Sequence, residues 1–271
     1  MPLLIRTWNV FHGNAKPPER RAFLAGMVRL AVHDDPDVVC LQEVPVWALA
    51  CLEEWSGMRC VGAVAQPPRL GPLPITAELG RAVTSLHHGL FRSAVAGQAN
   101  ATLLSRQASV LETQTLTLNS RTFRAAQAAW LRLGLVARLA WAKERRVVQV
   151  VRTSLHRRTL AIANLHATSY PADQRLADAE LLRAAVFVDA LARPDDVVVL
   201  AGDFNVPAAR SATLPELAGA KWGFSAPAET GIDHVLVRGA RAEALERWPR
   251  SRRTVEGRTW SDHAPVDARV A

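Results

Sequence analysis

The chain alternates between short apolar runs and polar or turn-forming segments. Apolar runs of about four to eight residues are typical of buried strands. They predict strands at residues 3–10, 38–41, 101–105, 146–154, 159–165, 197–200, 232–237 and 263–270. Apolar positions at helical spacing predict helices at residues 18–33, 46–55 and 173–192. Residues 66–80 are rich in Pro and Gly, which predicts a surface loop.

Residues 125–143 have an unusual pattern. They are rich in Ala, Leu and Arg, which favours a helix, but they have no clean polar face. Strands and helices follow one another in mixed order, without repeats, low-complexity tracts or a long linker. This order predicts one α/β (α+β) domain over residues 1–271.

Composition restricts the class of protein. Of the 271 residues, 49% are hydrophobic and 21% charged, which is typical of a folded globular chain. Every apolar run is shorter than the roughly 18 residues needed to cross a bilayer, so we expect no membrane span. The start of the chain has no leader pattern, which predicts a cytoplasmic protein. Three cysteines without metal-finger spacing argue against a disulfide framework and structural zinc.

The charge balance is basic. Lys and Arg number 33 against 25 Asp and Glu, a formal net charge of +8, and only three of the basic residues are lysines. A basic surface concentrates polyanions such as nucleic acids. A coding bias towards Arg and Ala explains the same count, and no dense basic run separates the two interpretations.

Polar side chains stand where predicted strands end. The residues in these positions are Asn9, Glu43, His166, Asp203 and Asn205. Side chains from separate strands converge at the carboxyl edge of an α/β sheet, where ligands commonly bind. The pairs Asp233-His234 and Asp262-His263 stand beside the last strands.

These residue types suit phosphate chemistry. Carboxylates of Glu43 and Asp262, with the amides of Asn9 and Asn205, form an oxygen-rich set that favours Mg²⁺ over zinc. Histidines titrate near neutrality, so His166 and His263 are candidates for phosphate contact or proton transfer. A neighbouring carboxylate such as Asp233 would hold one ring in the required tautomer. Together these features predict phosphoester hydrolysis.

Six short motifs occur in a fixed order. They are Thr7-Trp8-Asn9-Val10, Leu41-Gln42-Glu43-Val44, Asn164-Leu165-His166-Ala167, Gly202-Asp203-Phe204-Asn205, Gly231-Ile232-Asp233-His234 and Ser261-Asp262-His263-Ala264-Pro265. This series resembles that of the endonuclease/exonuclease/phosphatase (DNase I-like) superfamily over nearly the whole chain. The resemblance implies a four-layer sandwich of two packed mixed β-sheets flanked by helices.

The resemblance also implies roles for the motif residues. Glu43 would be a principal Mg²⁺ ligand, with Asn9 and Asp262 helping to set the metal site and Mn²⁺ as a substitute ion. Asp203 would orient or deprotonate the attacking water, and Asn205 would bind the phosphate or hold that water. His263, paired with Asp233, would contact a phosphoryl oxygen. His166 would polarise the phosphate or assist the leaving group. Residues 100–106 resemble the family's central strand.

The pattern departs from the family at two places. Phe11 stands where some members have a metal-site Asp, and His12 is an alternative phosphate contact. His234 stands where abasic-site nucleases usually have Tyr, and their damage-recognition insert is not recognised. We therefore do not assign abasic-site cleavage.

Three functional hypotheses follow. The basic balance favours a nuclease acting on DNA or RNA, and the chain is expected to be a monomer. The alternatives are a phosphatase or phosphodiesterase acting on a small phosphorylated lipid, inositol or sugar, and a silent polyanion-binding module. Trp222 and Trp260 are candidates for a substrate wall, whereas His87 and His88 are expected to be ordinary histidines. Substrate choice is expected to depend on loops 66–95 and 207–230.

Overall fold

The computed structural model describes residues 2–19, 21–86 and 95–271, so His87 and His88 and the end of the first predicted substrate loop lie outside the described residues. The strands are β1 Leu3–Asn9, β2 Ala15–Lys16, β3 Val38–Val44, β4 Arg59–Gln66, β5 Arg69–Leu70, β6 Leu73–Pro74, β7 Gln98–Leu104, β8 Ser109–Thr117, β9 Val147–Leu155, β10 Arg158–His166, β11 Val197–Asp203, β12 Asp233–Arg238, β13 Ala242–Arg247, β14 Thr254–Val255, β15 Arg258–Trp260 and β16 Val266–Val270. The α-helices are α1 Leu24–Ala31, α2 Leu52–Ser56, α3 Ala77–Leu86, α4 Arg121–Trp130, α5 Leu135–Lys143, α6 Arg175–Leu191 and α7 Thr213–Ala218.

Two mixed sheets form the centre of the molecule. One has the strand order β13-β16-β1-β3-β7-β4, and the other has the order β12-β11-β10-β9-β8. Within them β1 runs parallel to β3 and β10 runs parallel to β11, while the remaining neighbours are antiparallel. Successive side chains of a strand point to opposite faces, so each sheet has an inner and an outer surface.

The inner surfaces pack on each other. This core contains Leu3 and Ile5 of β1, Val38 and Cys40 of β3, Ile162 of β10, Val199 of β11 and Val235 of β12, all buried. The outer surface of the six-stranded sheet is covered by α1, through Leu24, Met27 and Val28. The outer surface of the five-stranded sheet is covered by α6, through Leu181, Ala184 and Val188. The predicted four-layer sandwich is therefore confirmed.

A buried polar belt crosses between the sheets. Gln42 of β3 donates through Nε2 to Oγ1 of Thr7 (3.0 Å) and to Oδ1 of Asn164 on β10 (2.8 Å). Thr102 of β7 donates through Oγ1 to Oε1 of Gln149 on β9 at 2.8 Å. Buried polar groups need such partners, because an unsatisfied one costs about 1–3 kcal/mol. The belt therefore joins the two sheets by directional contacts.

One glycine is required by the sheet pairing. Gly202 of β11 has φ +146°, and a Cβ atom there would lie 1.9 Å from the carbonyl oxygen of Leu165 on β10. No side chain fits at that distance. The close approach places Asp203 directly beside the end of β10, where Asp203 is in register with His166.

Most predicted elements are confirmed, and several need correction. The helix predicted from residue 18 begins only at Leu24, because the N–H of Phe23 donates to the carbonyl of Gly13 and ties the preceding chain to the turn that follows β1. The predicted 66–80 loop contains β5, β6 and the start of α3. The segment 125–143 forms two helices, α4 and α5, separated at Gly134. Strands β4, β8 and β13 of the two main sheets, and the short strands β2, β14 and β15, are absent from the sequence-based prediction.

Two further features concern the whole chain. Cys40, Cys51 and Cys60 are free thiols. Among the helices in the described ranges, none has the length and apolarity required to cross a bilayer.

Candidate active site

The strand directions bring the predicted residues to one end of the sandwich. Asn9 ends β1, Glu43 lies near the end of the parallel β3, and His166 and Asp203 end the parallel pair β10 and β11. Strand β12 is antiparallel to β11, so its first residue, Asp233, pairs with Asp203. Strand β16 is antiparallel to β1, so the turn that precedes it, which carries Asp262 and His263, lies beside the end of β1.

Asn9 holds two carboxylates. Its Nδ2 donates to Oε1 of Glu43 (3.3 Å) and to Oδ2 of Asp203 (3.0 Å). Its Oδ1 accepts the backbone N–H of Phe11 at 2.9 Å. Because that backbone group can only donate, the orientation of the amide is fixed. Asn9 remains a predicted member of the metal site, and these contacts give it a positioning task as well.

Glu43 lies between two histidines. Its Oε2 is 3.3 Å from Nε2 of His12, and its Oε1 is 3.7 Å from Nε2 of His166. Burial raises the pKa of Glu43, and the charge of Arg146 and the bond from Asn9 oppose this effect. The backbone of Glu43 has φ 54°. This left-handed conformation costs about 1–3 kcal/mol for a residue with a side chain, and such residues occur in turns and cluster at active sites.

Asp203 is the centre of the cluster. Besides Asn9, its Oδ2 lies 3.5 Å from Nε2 of His166 and 3.8 Å from Nε2 of His263. Burial raises the pKa of Asp203 to about 7, and the charges of Asp233 and Glu43 act in the same direction. A carboxylate with this pKa is suited to accept a proton near neutrality.

Asn205 lies next to Asp203, in a left-handed conformation with φ 52°. Its backbone N–H donates to Oδ1 of Asp203 (3.0 Å), and its Nδ2 donates to the carbonyl of Ala167 (2.9 Å). The turn after β11 is thereby joined to the loop after β10, and Asn205 helps to orient the Asp203 carboxylate.

His263 lies between two carboxylates. Its Nδ1 is 2.9 Å from Oδ1 of Asp233, while its Nε2 faces Asp203. Burial alone would lower the pKa of His263, but the charges of Asp203 and Asp233 and the bond to Asp233 outweigh it and raise the pKa to about 10. At neutral pH the ring is therefore a cation.

His166 has the opposite character. Burial lowers the pKa of its ring well below the usual value, and the charge of Arg146 adds to this effect. Nη1 of Arg146 lies 2.9 Å from Nδ1 of His166. Near neutral pH the site thus combines a neutral histidine beside a guanidinium with a protonated histidine held by carboxylates.

Asp262 completes the set. Its Oδ1 lies 4.0 Å from Nε2 of His263, and its Oδ2 lies 3.5 Å from Nζ of Lys16. All eight predicted residues therefore belong to one network of contacts no longer than 4.0 Å. The turn that carries Asp262 is held by Arg253, whose Nη1 donates to the carbonyls of Trp260 and Ser261.

The donor set fits a divalent cation. Oδ1 of Asp262 is buried without a hydrogen-bond partner among the described residues, and desolvation raises the pKa of the partly buried Glu43 carboxylate. Both features indicate anionic oxygens that a hard cation would compensate. Asp203, Asp233 and His263 also offer ligand atoms within 4.8 Å of one another. Because His263 is protonated and engaged by both carboxylates, Glu43 and Asp262 are the better candidates.

A cleft of about 310 Å³ opens beside Glu43. Its walls include Lys143 at the end of α5, Arg146 before β9 and Thr168 after β10. Sequence reasoning missed these residues. The apolar pattern places Arg146 merely at the start of a strand, and one arginine among many gives no signal of a functional position. Trp222 and Trp260 instead pack against the apolar clusters that cover the outer sheet faces.

Glu180 of α6 joins the cleft wall to α5. Its fully buried carboxylate accepts from Nε1 of Trp141 (2.5 Å) and from the backbone N–H and hydroxyl of Thr168 (both 2.7 Å). Burial raises the pKa of Glu180. The loop that follows His166 and the helix that borders the cleft are thus attached to the same side chain.

Comparisons with known proteins identify a family and a shared fold. Residues 7–263 match the family described as Endonuclease/Exonuclease/phosphatase family. No curated protein matches the sequence.

Solved structures share the fold. An endonuclease/exonuclease/phosphatase from Bacteroides vulgatus has a TM-score of 0.67 and 13% identity, covering 100% of this chain and 99% of that chain. The human Nocturnin catalytic domain with bound sulfate anion has a TM-score of 0.63 and 15% identity, covering 100% and 94%. Truncated Caenorhabditis elegans TDP2 has a TM-score of 0.60 and 15% identity, covering 100% and 97%. At these identities the likeness concerns the fold.

Proposed function

Because this chain belongs to the endonuclease/exonuclease/phosphatase family, we propose that it is a divalent-cation-dependent phosphodiesterase that cleaves nucleic acids. Members of the family hydrolyse phosphoester bonds. The observation that carries the proposal is the continuous contact network from Asn9 and Glu43 through Asp203 to His263 and Asp233. The network supplies a proton acceptor in Asp203, a protonated ring in His263 and an anionic metal ligand in Glu43, all at one position.

Each residue has a distinct task in this mechanism. Asp203 accepts a proton from the attacking water, which its raised pKa allows. The new P–O bond forms as the ester P–O bond opposite breaks, and the leaving oxygen departs with the bonding electron pair and takes a proton from solvent water. Charge develops on the phosphoryl oxygens during this step. The protonated ring of His263, oriented by Asp233, stabilises that charge.

The remaining residues would bind the phosphate, orient Asp203 and form the metal site. Arg146 places its guanidinium beside the neutral ring of His166. From one wall of the cleft it would donate hydrogen bonds to the phosphate. Asn205 keeps Asp203 oriented through its backbone N–H. Glu43 and Asp262, with Asn9 helping to set the site, would hold a divalent cation, Mg²⁺ or Mn²⁺, which would supply positive charge to the phosphate.

Nucleic acid is favoured as the substrate by charge and shape. The chain has a formal net charge of +8. The cleft has Lys143 and Arg146 on its wall, together with Glu144, whose carboxylate pairs with Arg146 at 2.6 Å. A cleft that opens at the surface leaves room for a continuing polyanion, and the net positive charge of the chain concentrates polyanions at its surface. We propose that the protein acts as a monomer, since the residues of the network all come from one chain.

The test is hydrolysis of defined substrates. Plasmid DNA, single-stranded RNA and a panel of phosphomonoesters are incubated with the protein in Mg²⁺, in Mn²⁺ or in EDTA. We expect nucleic acid to be cleaved with either metal and to survive in EDTA. Asp203→Ala and His263→Ala should remove the activity, whereas Glu54→Gln, an exposed substitution on α2, should retain it. Intact nucleic acid together with hydrolysed monoester would overturn the nuclease assignment.

A phosphodiester in a lipid head group is a second candidate. The specific observation in its favour is exposed apolar surface on α5, the helix whose end borders the cleft. A phosphatidylcholine or phosphatidylglycerol substrate in the same assay distinguishes it from the nuclease.

A further inference from the structure

Helices α4 and α5 form a helical hairpin, residues 121–143, whose outer side is apolar. Trp130 is 78% exposed, Leu135 72%, Val136 70% and Leu139 62%. Leu135, Val136 and Leu139 lie on one face of α5, since residues three or four apart are neighbours on a helix. Trp130 ends α4, directly before the turn that leads to them. Apolar side chains that are contiguous and exposed usually mark an interaction surface.

The base of the helical hairpin is firmly attached. Trp141 is fully buried, donates to Glu180, and packs edge-on against Phe123 with ring centroids 5.9 Å apart. Ala128 and Leu133 pack in the same small cluster with Leu176 of α6. The apolar side chains at the tip are therefore presented to solvent by an anchored element, which explains why residues 125–143 lack a polar face.

The charge of the helical hairpin has one sign. Residues 121–143 contain four arginines and one lysine, namely Arg121, Arg124, Arg132, Arg138 and Lys143, and no Asp or Glu. Arg124 and Arg138 donate through Nε to the backbone carbonyls of Asn119 and Leu133. A cationic element with an exposed Trp and aliphatic residues combines the two contributions that attach helices to anionic lipid interfaces, apolar insertion and electrostatic attraction.

We propose that the helical hairpin docks on an anionic phospholipid surface, with Trp130, Leu135, Val136 and Leu139 inserted among the lipids and the basic side chains at the phosphates. A second copy of the chain is a poorer occupant, because it would place like charges against each other without acidic partners in the segment. Nucleic acid would match the charge but would leave three aliphatic side chains without an apolar environment.

Docking would bring the active-site cleft to the membrane. Ala140 and Lys143 of the helical hairpin line the same cleft as Glu43 and Arg146. The proposal does not depend on which phosphodiester is cleaved, because binding is measured without turnover. A positive result would make the lipid head group the preferred substrate class to test.

The experiment is co-sedimentation of the full chain with vesicles. Vesicles of phosphatidylcholine with phosphatidylglycerol are compared with vesicles of phosphatidylcholine alone. We expect binding to the anionic vesicles, at least about 10-fold weaker binding to the neutral ones, and a loss of binding in roughly 0.5 M NaCl. The double substitution Leu135→Ser and Leu139→Ser should weaken binding at least about 10-fold. Arg121→Gln and Arg132→Gln should each weaken it about 5-fold.

Two controls keep the test decisive. Leu111→Ser removes an exposed leucine on β8, outside the helical hairpin, and should bind like the wild type. Trp130→Leu keeps the apolar surface, so it should still bind while losing the part of the tryptophan emission shift that Trp130 contributes. This second readout applies even where the double variant folds poorly.

Several outcomes would overturn the proposal. These are equal binding of wild type and double variant, equal binding to neutral and anionic vesicles, or an equal loss in Leu111→Ser. Loss of single-stranded DNA binding in the double variant with vesicle binding intact would assign the surface to nucleic acid. A dimer that the double variant converts to monomer, without an effect on vesicles, would assign it to self-association.

Discussion

His263 and Asp233 face each other through the Nδ1 atom of the ring, 2.9 Å from Oδ1 of the carboxylate. This contact orients the ring so that Nε2 faces Asp203, and it contributes to the raised pKa of His263. We expect Asp233→Asn to lower kcat roughly 100-fold or more, because the ring loses the charge that keeps it protonated. KM should change little.

The pH profile distinguishes this role from a structural one. In Asp233→Asn the pKa of His263 falls, so the alkaline limb of the rate profile should move to lower pH. An unchanged alkaline limb together with a reduced melting temperature would mean that Asp233 acts on the fold alone.

The ionisation of Asp203 should determine the acid limb of the same pH–rate profile. It must be ionised to accept a proton, and burial raises its pKa to about 7. Activity should therefore be low in acid, rise as the pH increases through about 7, and fall again as His263 deprotonates at about 10. The measurement is kcat/KM as a function of pH at constant metal concentration. A profile without change between about pH 5 and 8 would exclude Asp203 as the base.

Glu43 links metal binding to stability. Burial raises its pKa, so its ionisation costs folding free energy once the pH exceeds the value for the unfolded chain, 4.5. In EDTA near neutral pH, Glu43→Gln should melt at a higher temperature than the wild type. Added Mg²⁺ should stabilise the wild type but not this variant. Glu54→Gln, on exposed α2, should respond to Mg²⁺ like the wild type.

Asp196 is a stability determinant outside the active site. Its carboxylate accepts from Nε of buried Arg152 (2.7 Å) and from the backbone N–H of Arg193 (2.8 Å). Removing it leaves the buried guanidinium with only the more distant carboxylate of Glu112 (3.9 Å), so Asp196→Ala should lose about 3 kcal/mol of unfolding free energy. The measurement is urea unfolding. Asp195 is the exposed neighbour, and Asp195→Ala should stay within about 0.5 kcal/mol of the wild type.

The ionisation of Asp196 should also make the stability of the fold sensitive to acid. Burial alone would raise the pKa of Asp196, but the hydrogen bonds from Arg152 and Arg193 outweigh it and lower the pKa to about 2. A lowered pKa means that the stabilisation is complete above the unfolded value of 3.8 and is lost as the pH falls towards about 2. Wild type and Asp196→Ala should therefore converge in stability over this interval. A constant difference would show that the ion pair is not its source.

Sequence patterns predict the interior of the sandwich better than its borders. The central strands β1, β3, β10 and β11 are buried on both faces, and each contains a short apolar run. The three unpredicted strands of the two main sheets, β4, β8 and β13, each lie at the edge of a sheet. In β4 and β8 many side chains face solvent, so small or polar residues interrupt the apolar run.

The active site shows the same division. Residues at strand ends, such as Glu43 and Asp203, are predictable because motif and topology point to one location. Arg146 and Glu180 are not, because their roles depend on contacts with residues distant in sequence, His166 and Thr168. A buried glutamate within a helix reads as a solvated position until the packing of α5 on α6 is known.

The buried side-chain amides of Gln42 and Asn164 keep the two sheets aligned next to the active site. Glu43 extends from one sheet and His166 from the other, and the bond between Gln42 and Asn164 lies within two residues of both. Burial of aliphatic groups resists separation of two layers but is non-directional, so it opposes lateral sliding only weakly. Hydrogen bonds are directional. Apolar residues of similar shape at positions 42 and 164 would keep the two sheets packed but would let one shift along the other. Such substitutions would therefore lower the catalytic rate more than the melting temperature.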